Sequence, residues 1–308
     1  MVAVKFLKRK IAIFLIDALI LLARILPRRL GMKVFSALGR AASHVFQTDR
    51  RKAMENLSIA FPETAPMLRA AITRAMYITL GENIYEFFNL EGSSRGRIKG
   101  LVDTIEGEPF LRDAFNEGKG VIAITGHIGC WELLGAHLVS RGYPVTVVAR
   151  SLQERKWQKR IQAIRSSVGV ASIDRDSSAR EMLKPLRRGE ILGVLMDQKT
   201  RVSGLFVPFF NKPAHTPSGV AKLSAISGAK IVPMAIYMDS NSKHLIRILE
   251  PISPPPRRGD REKGIRNVTS ACSQAIEKLI RYDPKQWIWW HDRWSATERA
   301  ELDYAVQN

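Results

Sequence analysis

Apolar positions along this chain change their period twice, and the changes divide it into three parts. Residues 11–26 form one apolar run, residues 31–100 repeat apolar positions at helical spacing, and later residues alternate short β-branched runs with helical patterns. We therefore predict an N-terminal hydrophobic anchor helix within residues 1–30, a helical arm over 31–100 and an α/β domain over 101–308. The predicted fold class is α/β, with a mixed, largely parallel sheet flanked by helices.

Six runs in the third part have the composition of buried strands, being short, apolar and rich in β-branched residues. They are Val121–Thr125, Pro144–Ala149, Val168–Ile173, Ile191–Met196, Ile231–Met238 and His244–Leu249. Helical patterns lie between most of them, and one helix is expected to begin with Thr216 as its N-cap and Pro217 as its first residue. In such sheets, sites form beyond the carboxyl ends of the strands.

One strand end carries a histidine, in the stretch Gly118–Gly135, GKGVIAITGHIGCWELLG. His127 follows the strand across a glycine turn, and Glu132 lies near the start of the next helix. On one continuous helix these two side chains would diverge, whereas a strand, turn and helix can bring imidazole and carboxylate together. A histidine held by a carboxylate is a good general base near pH 7. The simpler alternative is a surface histidine and an unrelated glutamate that favours a helix N-terminus.

The charge of the chain is its most unusual bulk property. Its 308 residues include 48 Lys and Arg against 29 Asp and Glu, a formal net charge of +19. Such an excess indicates an anionic partner: nucleic acid, an anionic membrane surface, a phosphorylated substrate or an acidic carrier protein. The two cysteines, Cys130 and Cys272, lie far apart, which argues against a disulfide framework and fits a reducing compartment.

The apolar run near the N-terminus is predicted to be a membrane anchor, either spanning or interfacial. Asp17 and Arg24 interrupt it, and it falls short of the roughly 20 residues that a comfortable span needs. Basic residues flank it on both sides, which suits a helix lying in an anionic interface as well as one crossing it. A buried core helix is the alternative.

Two further side chains are placed where sites collect. Asp197 and Gln198 follow the strand Ile191–Met196 directly, although a purely structural turn would give the same pattern. The sequence contains neither H-E-x-x-H nor a glycine-rich nucleotide motif. We therefore predict no metal and no cofactor.

Four blocks of sequence agree on one family. They are RRKAMENLSIAFPE (50–63), GHIGCWELLG (126–135), MDQKTRVSGLFVPFFNKPAHTPSGVAKLSAISGAKIVP (196–233) and PKQWIWWHDRW (284–294). In this order and spacing they resemble the lipid A late acyltransferases (lauroyl/myristoyl type) of the lysophospholipid-acyltransferase-like superfamily, whose hallmark is H-x4-D/E. The resemblance covers nearly the whole chain; one departure is Ile128 and Cys130, where the family often carries Trp and Asn.

The resemblance implies a reaction and its setting. A fatty acyl chain would pass from acyl carrier protein to a hydroxyl of a lipid A precursor, at the cytoplasmic face of the bacterial inner membrane. His127 would deprotonate that hydroxyl, and Glu132 would orient His127 and stabilise the imidazolium. A covalent mechanism through Cys130 is the weaker alternative, since direct transfer to a hydroxyl needs no acyl-enzyme.

Acyl transfer also needs hydrogen-bond donors for the oxyanion and contacts for the substrates. The donor candidates are backbone N–H groups of the turn at Gly129, then Arg165, at an R-x3-G position resembling the family's, and Arg150 second to it. The candidates for substrate binding are Arg150, Asp197, Gln198, Phe209 and Thr216. Phe209 and Thr216 lie in a segment rich in aromatic residues and are expected beside an acyl or acceptor groove, with core packing as the alternative.

Other functions remain open at this stage. The same chemistry could act on another glycolipid, such as a phosphatidylinositol mannoside, or on a lysophospholipid. A basic, non-enzymatic protein that binds membranes or nucleic acid is a more distant alternative. Because the carrier protein and the phosphorylated glycolipid are both polyanionic, the charge of +19 is explained by an anionic membrane surface and these partners without nucleic acid.

Overall fold

The structure, a computed structural model, describes residues 15–152, 154–199, 202–256 and 258–294. Its helices are α1 (residues 15–25), α2 (Arg28–Val45), α3 (Gln47–Ala60), α4 (Pro66–Phe88), α5 (Arg95–Leu101), α6 (Glu108–Asn116), α7 (Trp131–Ser140), α8 (Arg155–Ser167), α9 (Ala179–Arg187), α10 (Gly219–Ser227), α11 (Arg261–Tyr282) and a short 3₁₀ turn (Pro284–Gln286). Its strands are β1 (Val102–Glu106), β2 (Val121–Thr125), β3 (Val145–Ala149), β4 (Ala171–Asp174), β5 (Ile191–Leu195), β6 (Gly204–Phe209), β7 (Lys212–Pro217), β8 (Lys230–Met238) and β9 (His244–Ile248).

Seven of the strands form one sheet, in the order β1-β9-β8-β2-β5-β3-β4. Neighbouring strands run parallel except for β8 and β9, which pair antiparallel. The predicted mixed, largely parallel α/β sheet is therefore confirmed. All five residues of β2 are buried, as expected for a central strand that helices cover on both faces.

The side chains of β2 point alternately into two hydrophobic cores, one on each face of the sheet. Ile122 and Ile124 enter a cluster that includes residues of α9, α10 and α11, whereas Val121 and Ala123 enter a cluster on the opposite face with residues of α7. Cys272 is fully buried in the first cluster, as predicted. The sheet is thus a rigid layer whose strand ends can position a site.

The hairpin β6–β7 corrects one prediction. Thr216 pairs with Leu205 and Pro217 pairs with Gly204. Thr216 and Pro217 therefore end strand β7 instead of beginning a helix. The N-cap position of α10 is Ser218. The helical reading of Thr216-Pro217 was wrong because cross-strand pairing competes with the capping tendency of a Thr-Pro pair.

The helical arm packs α2 closely on α4 through glycines. A Cβ atom at Gly81 would lie 2.1 Å from the carbonyl oxygen of Phe35, and one at Gly39 would lie 2.2 Å from that of Tyr77. Any side chain at these two positions would therefore push the helices apart.

The predicted membrane anchor falls only partly on the described chain. Residues 1–14 lie outside the described residues, and within the described ranges no helix has the length and apolar character needed to cross a membrane. The anchor and the proposed division at residues 30 and 100 remain predictions.

A buried ion pair joins the helical arm to the sheet. Glu86 of α4 is 1% exposed and accepts a hydrogen bond from Nε of Arg28 at 2.8 Å, while Nε2 of His244 on β9 lies 3.7 Å away. Burial by itself raises the pKa of the Glu86 carboxyl, but the contacts with His244 and Arg28 outweigh burial and bring the pKa below its ordinary value.

Replacing Glu86 with Gln is expected to lower the free energy of unfolding by about 3 kcal/mol, because Arg28 loses the buried charge that compensates it. Since the folded pKa is lowered, the contribution of Glu86 is present above the ordinary glutamate pKa of about 4.3 and is lost as the pH falls below it. Urea unfolding at pH 7 and at low pH measures both effects. The control is Glu82→Gln on the same helix; equal losses for the two variants would contradict the prediction.

Candidate active site

The register of two parallel strands brings His127 and Asp197 together. Thr125 of β2 is aligned with Leu195 of β5, and the backbone N–H of Met196 donates to the carbonyl oxygen of Thr125 at 3.0 Å. His127 and Asp197 each follow the end of their strand by two residues, so they lie side by side at the carboxyl edge of the sheet. Both side chains therefore lie at the edge of the sheet where the sequence predicts a site.

Asp197 holds the histidine through both its main chain and its ring. The carboxylate accepts from the backbone N–H of His127 at 2.7 Å, and its Oδ1 lies 2.9 Å from Nδ1 of the imidazole. The indole N–H of Trp287 donates to the same carboxylate at 2.7 Å. Although full burial by itself raises the pKa of Asp197, the charge of His127 and these hydrogen bonds hold it well below its usual range. Asp197 is thus a fixed anion, and we assign the Nδ1–H tautomer to His127.

This arrangement differs from the expectation for Glu132. We expected its carboxylate to contact His127, but Glu132 accepts two hydrogen bonds from Arg165 of α8, from Nε at 2.9 Å and from Nη2 at 2.6 Å. Glu132 lies in the first turn of α7, and from there its side chain reaches across to α8. The carboxylate that contacts His127 is therefore that of Asp197, and the predicted His127–Glu132 contact is corrected to two pairs, His127–Asp197 and Arg165–Glu132.

Gln198 links His127 to a second histidine. Its side-chain nitrogen lies 3.1 Å from Nε2 of His127 and 2.6 Å from Nε2 of His291. Burial, and then the nearby charge of His127, lower the pKa of His291 to about 4, so His291 is neutral near pH 7. The two amide hydrogens of Gln198 can therefore satisfy both imidazoles.

Asn56 of α3 fixes the segment that carries His291. Its side-chain N–H groups donate to the carbonyl oxygens of Trp289 at 2.6 Å and of His291 at 2.7 Å. Asn56 and His291 belong to the first and last of the four sequence blocks. Sequence patterns assign no role to Trp287 or His291, and the signal that could have pointed to them is a histidine among four tryptophans in the last block.

A cavity of about 420 Å³ opens beside His127. One end is polar, with His127, Glu132, Arg165, Gln198 and three basic side chains: Arg150, Arg175 and Lys199. The cavity then follows the sheet away from the strand ends, and along β5 it is lined from Leu195 back to Ile191, a distance of about 13 Å at strand spacing. Its apolar walls come from β2, β3, β5, β8 and α7: Ala123, Val145, Val147, Gly193, Met234, Leu134 and Leu138.

Two residues predicted to bind substrate lie elsewhere. Phe209 is fully buried in the core against Trp287 and Trp294. Thr216 is also fully buried, and its hydroxyl accepts a hydrogen bond from Nη2 of Arg293 at 2.8 Å. Neither lines the cavity, so the substrate-binding prediction is corrected in favour of the core-packing alternative.

The turn at Gly129 does not offer its own N–H to an oxyanion. That N–H donates to the carbonyl oxygen of Gln286 at 2.9 Å. Gly129 has φ +56°, and a Cβ there would lie 2.0 Å from the carbonyl oxygen of Ile236, so only glycine fits. The turn therefore serves to pack the histidine loop against β8 and the C-terminal segment.

Cys130 is placed unfavourably for covalent catalysis. The residue is 3% exposed, and its Sγ lies 3.7 Å from the carbonyl oxygen of Asn83 in α4 rather than along the cavity. Burial strongly raises the pKa of its thiol, which disfavours the reactive thiolate. Over the described ranges, no group of three or more His, Cys, Asp or Glu side chains is arranged to hold a metal ion.

Comparison with known families matches residues 2–296 to the bacterial lipid A biosynthesis acyltransferases. The chain belongs to this family. It is similar to the phosphatidylinositol mannoside acyltransferase of Mycolicibacterium smegmatis, with 22% identity over 89% of this chain and 88% of the relative. It is also similar to the lipid A biosynthesis acyltransferase of Haemophilus influenzae, with 23% identity over 88% of this chain and 83% of the relative. The lipid A biosynthesis myristoyltransferase of Escherichia coli is 21% identical over 85% of this chain and 80% of the relative.

For a lipid A biosynthesis acyltransferase, the site contains the expected kinds of groups in one place. His127, Glu132, Arg165, Arg150 and Gln198 all line the same cavity, and Asp197 lies directly behind His127. An enzyme that transfers an acyl chain needs a base and a donor for the oxyanion next to an apolar space. The cavity brings together a histidine, an arginine and an apolar space.

His291 is expected to titrate near pH 4, because burial and the neighbouring His127 disfavour its protonated form. Histidine NMR spectra recorded between pH 3.5 and 8 measure the midpoint, and the His291→Gln variant identifies the signal. A midpoint near the ordinary value of about 6.5 would contradict the buried, neutral His291.

Proposed function

We propose that this protein transfers a fatty acyl chain from acyl carrier protein to a hydroxyl of a lipid A precursor. The observation that carries the proposal is the His127–Asp197 pair at the polar end of a long apolar cavity. A fatty acyl chain matches the apolar part, and the basic side chains at the polar end suit a phosphorylated acceptor and an acidic carrier. The cavity volume of about 420 Å³ falls within the range of ligand pockets.

The contacts support the following chemistry. Nε2 of His127 removes the proton of the acceptor hydroxyl while Asp197, bound at Nδ1, stabilises the resulting imidazolium. The hydroxyl oxygen attacks the thioester carbonyl, forming the new C–O bond and a tetrahedral oxyanion. When the C–S bond breaks, the imidazolium returns its proton to the carrier thiolate.

Arg165 is proposed as the donor to the oxyanion. Its contacts with Glu132 use Nε and Nη2, so Nη1 is the group assigned to the reacting carbonyl. Glu132 then acts on the reaction through Arg165, by fixing the guanidinium plane with a bidentate ion pair. Gln198, which contacts Nε2 of His127, gives way to the acceptor hydroxyl when substrate binds.

The second candidate acceptor is a phosphatidylinositol mannoside. Curated relatives from two mycobacterial species carry the name phosphatidylinositol mannoside acyltransferase, and one of them matches 89% of this chain. Both acceptors are anionic glycolipids, so the basic side chains at the polar end of the cavity suit either one. We propose the cytoplasmic face of the bacterial inner membrane as the location, supported by the net charge of +19 and by the apolar cavity.

The proposal is tested by incubating the purified protein with acyl carrier protein loaded with C12, C14 or C16 chains and with each acceptor. Mass spectrometry of the lipids is expected to show one added acyl ester on the lipid A precursor. An acyl ester on the mannoside alone would favour the second candidate, and no ester on either acceptor would contradict both.

Asp197→Asn is expected to lower kcat about 10³- to 10⁴-fold with little change in KM, because the amide favours the wrong imidazole tautomer. Glu132→Gln is expected to lower kcat less and to leave the pH dependence of kcat/KM in place, since Glu132 contacts Arg165. Steady-state rates from pH 5 to 9 compare the two variants, with His127→Ala as the inactive reference. A larger loss for Glu132→Gln than for Asp197→Asn would sink the assignment of Asp197 as the orienting residue.

Ala123→Val is expected to shift the donor preference toward shorter acyl chains, because Ala123 lines the apolar part of the cavity on β2 and added methyl groups shorten it. Relative kcat/KM values for C10 to C16 donors measure the shift. The matched control is Ala235→Val on β8, a fully buried residue outside the cavity lining. An unchanged preference in a folded Ala123→Val variant would mean that the acyl chain binds elsewhere.

A further inference from the structure

A second concave surface lies between α1 and α8, on the outside of the cavity wall. This α1/α8 groove encloses about 510 Å³. From α1 it is lined by Asp17, Ile20, Leu21 and Arg24, and from α8 by Lys156, Trp157, Lys159, Arg160 and Ala163. The acyl-transfer chemistry proposed above uses none of these residues.

Helix α8 forms a wall of both spaces. Gln158, Ile161 and Arg165 line the catalytic cavity, whereas Lys156, Lys159 and Arg160 line the groove. The spacing of each set follows the helical period, so the two sets lie on different faces of one short helix. A ligand in the groove would therefore lie one helix away from Arg165.

The groove carries more positive than negative charge. Arg24 and Arg160 both bind the single carboxylate of Glu91, the second contact at 3.1 Å, and Lys156 is paired with Asp17. Lys159 is exposed and has no ion-pair partner within the part of the chain that the structure describes. Four basic side chains thus face two carboxylates, and burial together with Arg160 lowers the pKa of Arg24, as expected for two cations that share one anion.

The same groove has an apolar margin. Ile20 is buried at its base, and on α1 the side chains of Leu21 and Ile25 are 60% and 68% exposed. Leu21 and Ile25 are four residues apart and therefore lie on one side of the helix. A small inorganic anion would gain nothing from these apolar side chains, whereas an amphiphile with an anionic head would use both kinds of contact.

We propose that the α1/α8 groove binds the phosphate-bearing headgroup of an anionic membrane lipid, with Leu21 and Ile25 entering the acyl region of the bilayer. Arg24, Lys159 and Arg160 contact the phosphate, and Trp157 lies at the level of the headgroups. The lipid is a membrane component distinct from the substrates in the catalytic cavity. If the proposed function holds, this contact also places the cavity at the membrane surface that supplies the acceptor.

The test measures binding of the full chain to phosphatidylcholine vesicles with and without 30% phosphatidylglycerol, by sedimentation at 150 mM salt. Lys159→Gln/Arg160→Gln is expected to lower the affinity for the anionic vesicles at least about 10-fold. The matched control, Arg155→Gln/Arg180→Gln, also removes two positive charges, but from side chains outside the groove. It is expected to change the affinity less than twofold. Equal losses for the two double variants would overturn the site, because they would show that net charge alone attracts the protein.

Four more measurements separate the remaining outcomes. The single variant Lys159→Gln changes an exposed, unpaired side chain, so an unchanged affinity in this folded variant counts against the proposal. Full competition by millimolar inorganic phosphate, or a raised KM for acyl carrier protein with vesicle binding intact, would overturn it in favour of a free anion or a carrier protein. His127→Ala is expected to bind vesicles like the unaltered chain, so loss of acyl transfer and loss of lipid binding are distinguishable.

Discussion

The candidate site depends on one buried charge. Asp197 is fully buried, and an isolated carboxylate in such a place would cost several kcal/mol. Three donors compensate it: the backbone N–H of His127, the ring of His127 and the indole of Trp287. Removing any of them leaves the carboxylate short of a partner, so the strand ends, the histidine loop and the C-terminal segment are held in one arrangement by the same group.

The four sequence blocks meet around this carboxylate. Asp197, in the third block, contacts His127 of the second block and Trp287 of the fourth. Asn56, in the first block, donates to the backbone carbonyls on either side of Trp290. The ring of Phe61, also in the first block, packs against Trp289 and against Phe210 of the hairpin. Residues separated by more than 200 positions are therefore joined by direct hydrogen bonds, and these bonds connect the helical arm to the C-terminal segment.

The pattern of apolar residues was enough to predict six of the seven strands of the sheet, all but β1, and the edge of the sheet on which His127 and Asp197 lie. It did not predict their pairing, because strand order and register are long-range properties that β2 and β5 do not carry in their own sequences. The hairpin was missed for a similar reason: Phe209 and Thr216 look like groove or cap residues until β6 pairs with β7. The N–H of Gly129 seemed free for an oxyanion only because its partner, the carbonyl of Gln286, lies 157 residues further along the chain.

These contacts change the interpretation of the five-residue spacing of His127 and Glu132, because the two side chains bind different partners. Five residues after the histidine, the chain has completed its turn and begun α7, so the glutamate points across to α8 rather than back to the ring. His127 is bound by Asp197, which follows the neighbouring strand β5. Glu132 instead forms an ion pair with Arg165, which is largely buried beside the apolar cavity. A guanidinium without that partner would face the desolvation cost of its charge alone. In the proposed reaction the motif would supply a base and, through a second ion pair, a fixed cation. Acyl transfer needs both at once, because negative charge develops on the carbonyl oxygen while the proton is removed from the attacking hydroxyl.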